Sequence, residues 1–181
     1  KYARINKIPY MGLCYGMQLL VIEYARNVLQ LDGAHTTEIH KNAPHKIIDI
    51  MEDQKQLVKV GKYGGSMRLG AYPCVLQPNT LAFDAYTVCK WGKIDKGVFI
   101  ISERHRHRFE VNNKYVEQLE AQGLLFSGTS PNGALMEIAE LPKKVHPFFI
   151  GTQFHPEFLA RPLSPHPLFT AFIKASIKSK R

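Results

Sequence analysis

The most constraining feature of this chain is a short apolar strand that turns a glycine-flanked corner straight into a helix. After Pro9, the residues Tyr10 to Leu13 read as strand. From Gly16 onward, apolar side chains recur at Met17, Leu20, Val21, Tyr24, Val28 and Leu31, which is helical spacing, and Gly33 supplies a stop. The corner between them is Gly12-Leu13-Cys14-Tyr15-Gly16. Gly-x-Cys-x-Gly is the spacing of a nucleophile elbow, in which small residues two before and two after the nucleophile relieve crowding at a strained turn. The helix that follows aims its amino end at the sulfur, and that positive dipole end favours a thiolate. The backbone N–H of Tyr15 would face a substrate carbonyl as an oxyanion donor. On the corner alone, a buried structural cysteine explains Cys14 as well as a nucleophile does.

The base that such a thiol needs stands far downstream, in Gln153-Phe154-His155-Pro156-Glu157. His155 and Glu157 are two apart, and in extended chain positions i and i+2 face the same way. Glu157 can then hold one imidazole nitrogen and leave the other for the Cys14 proton. Pro156 stiffens the pair. By itself His-Pro-Glu suits a surface turn; with the elbow it points to acyl transfer through a thioester.

The remaining pattern alternates strands with helices. Residues 1–8 read as the end of a helix. Ile47, Ile48 and Ile50 suggest a strand, 51–65 a polar loop, and Tyr72 to Leu76 and Val98 to Ile101 two more strands. Asn112 to Gln122 reads as a helix stopped by Gly123, followed by a strand from Leu124 to Ser127. Pro131-Asn132-Gly133 signals a turn, so the strands beside it are expected to form a hairpin. Phe148 to Phe154 is an aromatic-rich strand running into His155, and a last helix spans roughly 166–178. The expected fold is an α/β domain over the whole chain, with a mostly parallel central sheet, some antiparallel additions and helices on both faces. Active residues belong at the carboxyl ends of its strands, where Cys14 and His155 both fall.

Composition narrows the function classes. The chain has 181 residues, the size of one domain, and no apolar run approaches the 18 of a membrane span. Its three cysteines, Cys14, Cys74 and Cys89, have no disulfide-framework spacing, which fits a reducing, cytoplasmic setting. The net charge of +9 is scattered, densest from Lys174 to Arg181, and suits an anionic nucleotide or carboxylate ligand rather than nucleic acid. In Arg104-His105-Arg106-His107-Arg108 the three arginines would share one strand face and the two histidines the other. No third ligand at metal-site spacing accompanies the histidines, so no metal is expected.

These residues resemble the class I (triad) glutamine amidotransferases, whose glutaminase domain carries a Gly-x-Cys-x-Gly-x-Gln elbow and a late His-Pro-Glu; Gln18 matches that pattern too. Within them, three segments are similar to CTP synthases: Gly64-Gly65-Ser66-Met67-Arg68-Leu69-Gly70, Glu103 through Asn112, and Thr152 through Phe158 with Arg161-Pro162. The resemblance covers nearly the whole chain. It implies the three-layer, flavodoxin-like amidotransferase fold, and a Cys14–His155–Glu157 triad that hydrolyses L-glutamine. The released ammonia would pass to a separate synthase domain that aminates UTP to CTP with ATP and Mg2+. The glutaminase domain itself would need no cofactor. The resemblance further implies that Tyr15 and Gln18 contact glutamine, that Glu38 binds its α-amino group, and that Arg108 binds its α-carboxylate, an anion a guanidinium fork suits. Without it, Glu38 would read as a solvated loop carboxylate. Arg68 is expected to help sense GTP as an allosteric activator, or structurally to cap a loop. The family implies a homotetramer in the full-length enzyme. Family domains begin with further strands, including a glycine-rich loop that gives a second oxyanion donor, so the chain is expected to be part of a larger protein. A free-standing γ-glutamyl hydrolase and a catalytically silent interaction module are the competing readings.

Overall fold

The computed structural model describes residues 1–50 and 67–179. The loop expected over 51–65, and Gly64, Gly65 and Ser66, lie outside the described residues. In chain order the elements are α1 (Tyr2–Ile5), β1 (Tyr10–Leu13), α2 (Tyr15–Asn27), β2 (His35–Thr36), β3 (Lys46–Ile50), β4 (Arg68–Leu76), α3 (Leu81–Val88), β5 (Lys93–Asp95), β6 (Val98–His107), β7 (Phe109–Val111), α4 (Val116–Ala121), β8 (Leu125–Thr129), β9 (Met136–Glu140), β10 (Phe149–Thr152) and α5 (Pro167–Ser179).

Seven strands form one sheet in the order β1-β10-β9-β8-β4-β6-β5, and β2-β3-β7 form a smaller one. Two apolar layers cover the large sheet. Met17, Val21 and Ala25 of α2 and Leu119 of α4 pack with Phe126, Ala139 and Phe149. Ala82 and Tyr86 of α3 and Leu168 of α5 pack with Cys74, Ile101, Ile138 and Ile150. Neighbouring residues of β9 and β10, such as Ala139 and Ile138 or Phe149 and Ile150, go to opposite layers, as the two-residue strand period requires. Helices therefore cover both faces, as expected.

The expectation of a mostly parallel sheet needs correction. Within the large sheet β1 and β10 pair in parallel, while β10–β9, β9–β8, β8–β4, β4–β6 and β6–β5 are antiparallel. Connection length accounts for three of these pairings, β5–β6, β8–β9 and β9–β10. A parallel crossover takes a dozen residues or more, and the links from β5 to β6, β8 to β9 and β9 to β10 are shorter than that. The Pro131-Asn132-Gly133 turn does join an antiparallel hairpin.

Two strands are longer than the apolar pattern suggested. β6 runs through His107, and its inward residues past Ile101 are Glu103, His105 and His107, all buried. β4 starts at Arg68, also buried. Conversely, α2 ends at Asn27 rather than near Gly33, and Gln30 takes a left-handed φ of 58°. Val28, Leu29 and Leu31 still pack against the core, so the apolar spacing outlasts the helix itself.

Sequence reading left α3 out. Its first turn is capped by the Thr80 hydroxyl, which accepts from the Phe83 N–H at 3.2 Å. The buried Glu140 carboxylate of β9 accepts from the Leu81 and Ala82 N–H groups at 2.6 and 3.0 Å and from Ser127 Oγ at 2.8 Å. An acid set at a helix amino end satisfies donors that would otherwise be orphaned in the core.

Candidate active site

The parallel β1–β10 pair builds the site. Leu13 lies opposite Thr152, so Cys14 and His155 leave adjacent strands at the same end. The Cys14 N–H donates to the Thr152 carbonyl at 2.6 Å, which ties the corner to β10. Cys14 itself has φ 49° and ψ −100°, a backbone state that non-glycine residues rarely adopt. That is the strained elbow its spacing predicted. The two flanking glycines are not equivalent. A Cβ on Gly12 would stand 2.6 Å from the Gly16 carbonyl carbon and 2.6 Å from Tyr10 Oη, whereas one on Gly16 would meet only Tyr10 Oη at 3.7 Å. Tyr10 locks the corner from below by donating its hydroxyl to the Gly16 carbonyl at 2.9 Å. Gly151 lets α2 sit directly on β10, where a Cβ would come within 2.9 Å of the Met17 Cα.

His155 is held from three sides. Its backbone N–H donates to the Arg104 carbonyl at 2.8 Å. Its ring stacks on Phe158, with centroids 4.7 Å apart and planes 13° from parallel. Its Nδ1 lies 2.6 Å from Glu157 Oε1. With Nδ1–H donated to the carboxylate, Nε2 is the free base; it is buried and has no hydrogen-bond partner among the described residues.

The sulfur environment differs from the expected one. Burial pushes the Cys14 thiol up to about 11; Glu157 and Glu110 add to the rise, against the Tyr15 backbone N–H and the Gln153 amide, which favour the thiolate. Desolvation outweighs the Tyr15 and Gln153 donors, so the resting sulfur favours the thiol.

A cavity of about 560 Å³ opens beside Cys14, and its walls include Tyr15, Gln18, Glu38, Arg106 and Arg108. The four residues expected to contact substrate thus share one cavity with the nucleophile. Glu38 is exposed on a turn after β2 that Thr36 and Thr37 secure: Thr36 Oγ1 accepts from the Glu38 N–H at 3.2 Å, and Thr37 Oγ1 donates to Asp49 at 2.6 Å. Arg108 sits in the bend between β6 and β7. Gln18 is buried; its Nε2 donates to the Phe109 carbonyl at 3.1 Å, and its Oε1 has no partner among the described residues.

Arg68 is turned inward. Its guanidinium pairs with Glu110 at 3.2 Å and Glu137 at 2.9 Å and covers the Tyr72 ring at 4.5 Å. The effector-sensing role expected for it finds no support in this placement, because two buried carboxylates occupy the fork. His105 and His107 sit beside this pair, Nδ1 to Nε2 at 2.8 Å, and burial with the Arg68 charge lowers them to about 2 and about 3. Burial and the neighbouring Glu137 raise Glu110 to about 8, opposed by Arg68.

Two residues of the site escaped sequence reading, Tyr10 and Gln153. Gln153 Nε2 lies 3.7 Å from the Cys14 sulfur. Its place two before His155 was the available signal.

Comparison with known proteins identifies the family. The family model "Glutamine amidotransferase class-I" matches residues 1–175. The chain belongs to the class I glutamine amidotransferase family. This amidotransferase domain is 54% identical over 178 residues to the CTP synthase of Halalkalibacterium halodurans, and 53% identical over 178 residues to that of Dehalococcoides mccartyi. Both alignments take in 98% of the chain, but only 31% and 30% of those relatives, so the chain spans about a third of their length. Among solved structures it is similar to the Trypanosoma brucei CTPS glutaminase domain with bound acivicin, with a TM-score of 0.83 and 34% identity over 97% of this chain and 62% of that one. Among the described residues, no helix is long and apolar enough to cross a membrane.

Proposed function

We propose that this domain is the glutaminase part of a CTP synthase and hydrolyses L-glutamine through a glutamyl thioester on Cys14. The observation that carries the reading is the pairing, at one end of two adjacent parallel strands, of a cysteine held at φ 49° with a histidine whose Nε2 is unpartnered and whose Nδ1 is fixed by Glu157 at 2.6 Å. Glutamine enters the cavity with its α-carboxylate toward Arg108 and its α-amino group toward Glu38, against walls that include Tyr15 and Gln18. His155 Nε2 takes the Cys14 proton as the sulfur bonds to the side-chain amide carbon, and the Tyr15 N–H supports the oxyanion. The imidazolium returns that proton to the amine as the C–N bond breaks, and ammonia leaves. His155 then deprotonates a water as its oxygen adds to the thioester; the C–S bond breaks, the imidazolium returns that proton to the Cys14 sulfur, and glutamate leaves.

In the natural-length protein the ammonia is used by a synthase domain to aminate UTP with ATP and Mg2+, GTP activates the glutaminase step, and the subunits form a cytoplasmic homotetramer. The similarity to CTP synthases across nearly the whole chain supports this extension. The glutaminase step itself uses no cofactor. The test is Cys14→Ala in the natural-length protein: glutamine-dependent CTP formation is lost and formation from added ammonia persists. Loss of both activities would show instead that Cys14 serves folding.

A further inference from the structure

We propose that Gln153 is a positioning residue for the nucleophile, its amide N–H donating to the Cys14 sulfur and holding it through the change from thiol to thiolate. The inference rests on the glutaminase reading above. Gln153 follows the last residue of β10 and is fully buried. The sheet fixes its backbone, because its N–H donates to the Glu137 carbonyl at 2.8 Å.

A hydrogen-bond chain then fixes which way its amide points. Gln18 Nε2 donates to the Phe109 carbonyl at 3.1 Å and to Gln153 Oε1 at 3.4 Å. With the oxygen of Gln153 taken by that donor, the Nε2 side faces the sulfur at 3.7 Å. The flipped amide would set NH2 against NH2 at one end and oxygen against sulfur at the other. An N–H donated to a neutral thiol is weak, and it becomes charge-assisted as the proton leaves. The bond therefore strengthens along the path to attack, which is the condition for an interaction to raise a rate rather than only to bind. The site needs such a donor, since burial and the Glu157 carboxylate both oppose a negative sulfur.

The experiment compares wild type with Gln153→Met, which keeps the volume without a donor, and the isosteric Gln153→Glu, in the natural-length protein. Two readouts are taken: kcat and KM for ammonia release from glutamine, and the iodoacetamide alkylation rate of Cys14 at one fixed pH, with exposed Cys89 as internal control. Loss of a hydrogen bond to a charged group predicts a roughly 10- to 100-fold lower kcat with KM little changed, and Cys14 alkylation slowed about tenfold or more while Cys89 is unaffected. A merely structural role predicts the opposite sign at the sulfur, because loosening the site exposes Cys14 and speeds its alkylation. Faster or unchanged Cys14 alkylation in both variants, or an unchanged kcat, overturns the proposal. If the glutaminase reading were wrong, wild type itself would release no ammonia, whereas the alkylation comparison would still report on Gln153.

Discussion

Arg68→Met tests the buried charge cluster behind the active site. Met keeps most of the side-chain volume and can still pack on Tyr72, so the change isolates the charge. The Arg68 side chain is 10% exposed, and its partners Glu110 and Glu137 are 3% and 0% exposed, so water cannot compensate for its loss. Glu110 is raised to about 8 and is mostly protonated at neutral pH, which leaves the Glu137 carboxylate as the principal counter-charge. Removing one partner of such a buried pair costs about 3–5 kcal/mol. For a domain of this size that corresponds to a fall in melting temperature of roughly 6–20 °C. The pH dependence is a second signature. Without the guanidinium both carboxyls bind protons more tightly in the folded state, so the penalty shrinks as pH falls and grows as it rises. Urea unfolding of wild type and variant at pH 5 and pH 8 measures both effects. A loss under about 1 kcal/mol at both pH values, or one that does not grow with pH, would refute the buried-pair reasoning and return Arg68 to a solvated role.

Two further predictions follow from the elbow and the buried acids. Gly12→Ala forces a Cβ to 2.6 Å from the Gly16 backbone and is expected to cost about 1–3 kcal/mol and most of the activity, while Gly16→Ala, in the first turn of α2 with its nearest neighbour at 3.7 Å, is neutral or stabilising by about 0.5–1 kcal/mol; melting curves and glutamine turnover of the two variants check the asymmetry. Stability should fall as pH rises from about 6.5 to 8, because Glu110 has a folded value of about 8 against 4.5 and the folded state binds the extra proton there; it should also fall as pH drops from about 6.5 toward 3, because unfolded His105 and His107 take up protons at 6.5 that the folded state, at about 2 and about 3, refuses, and these outnumber the one proton on Glu110. Urea midpoints across that range check both limbs.

What could be read from the sequence was what is local. The elbow and the His155–Glu157 pair declare themselves by spacings of two residues, and the structure gives them the geometry those spacings implied. The lengths of β4 and β6 were not legible, because the inward residues Arg68, Glu103, His105 and His107 satisfy one another or nearby buried groups as ion pairs and hydrogen bonds, which no apolar period reveals. For the same reason the two buried carboxyl partners of Arg68 were not foreseen. Part of the cap on α3 comes from Glu140, distant in sequence, and no local pattern reveals that half of it. The β8–β9 hairpin was expected from its Pro131-Asn132-Gly133 turn, and the antiparallel β9–β10 pairing was within reach because its connection is too short for a crossover; the alternation of strands with helices had suggested a mostly parallel sheet instead. The effect of burial on the Cys14 thiol depends on a cavity wall assembled from α2, the Glu38 turn and the β6–β7 bend, and so appears only in three dimensions.

The most direct test of the central claim is the intact mass of the protein after incubation with the diazo glutamine analogue 6-diazo-5-oxo-L-norleucine, followed by peptide mapping. The account predicts a single adduct on Cys14, blocked by excess L-glutamine and absent from Cys74 and Cys89. Folded protein that stays unmodified, or is modified equally at Cys89, would contradict a Cys14 thiol activated by His155 in a glutamine-shaped cavity.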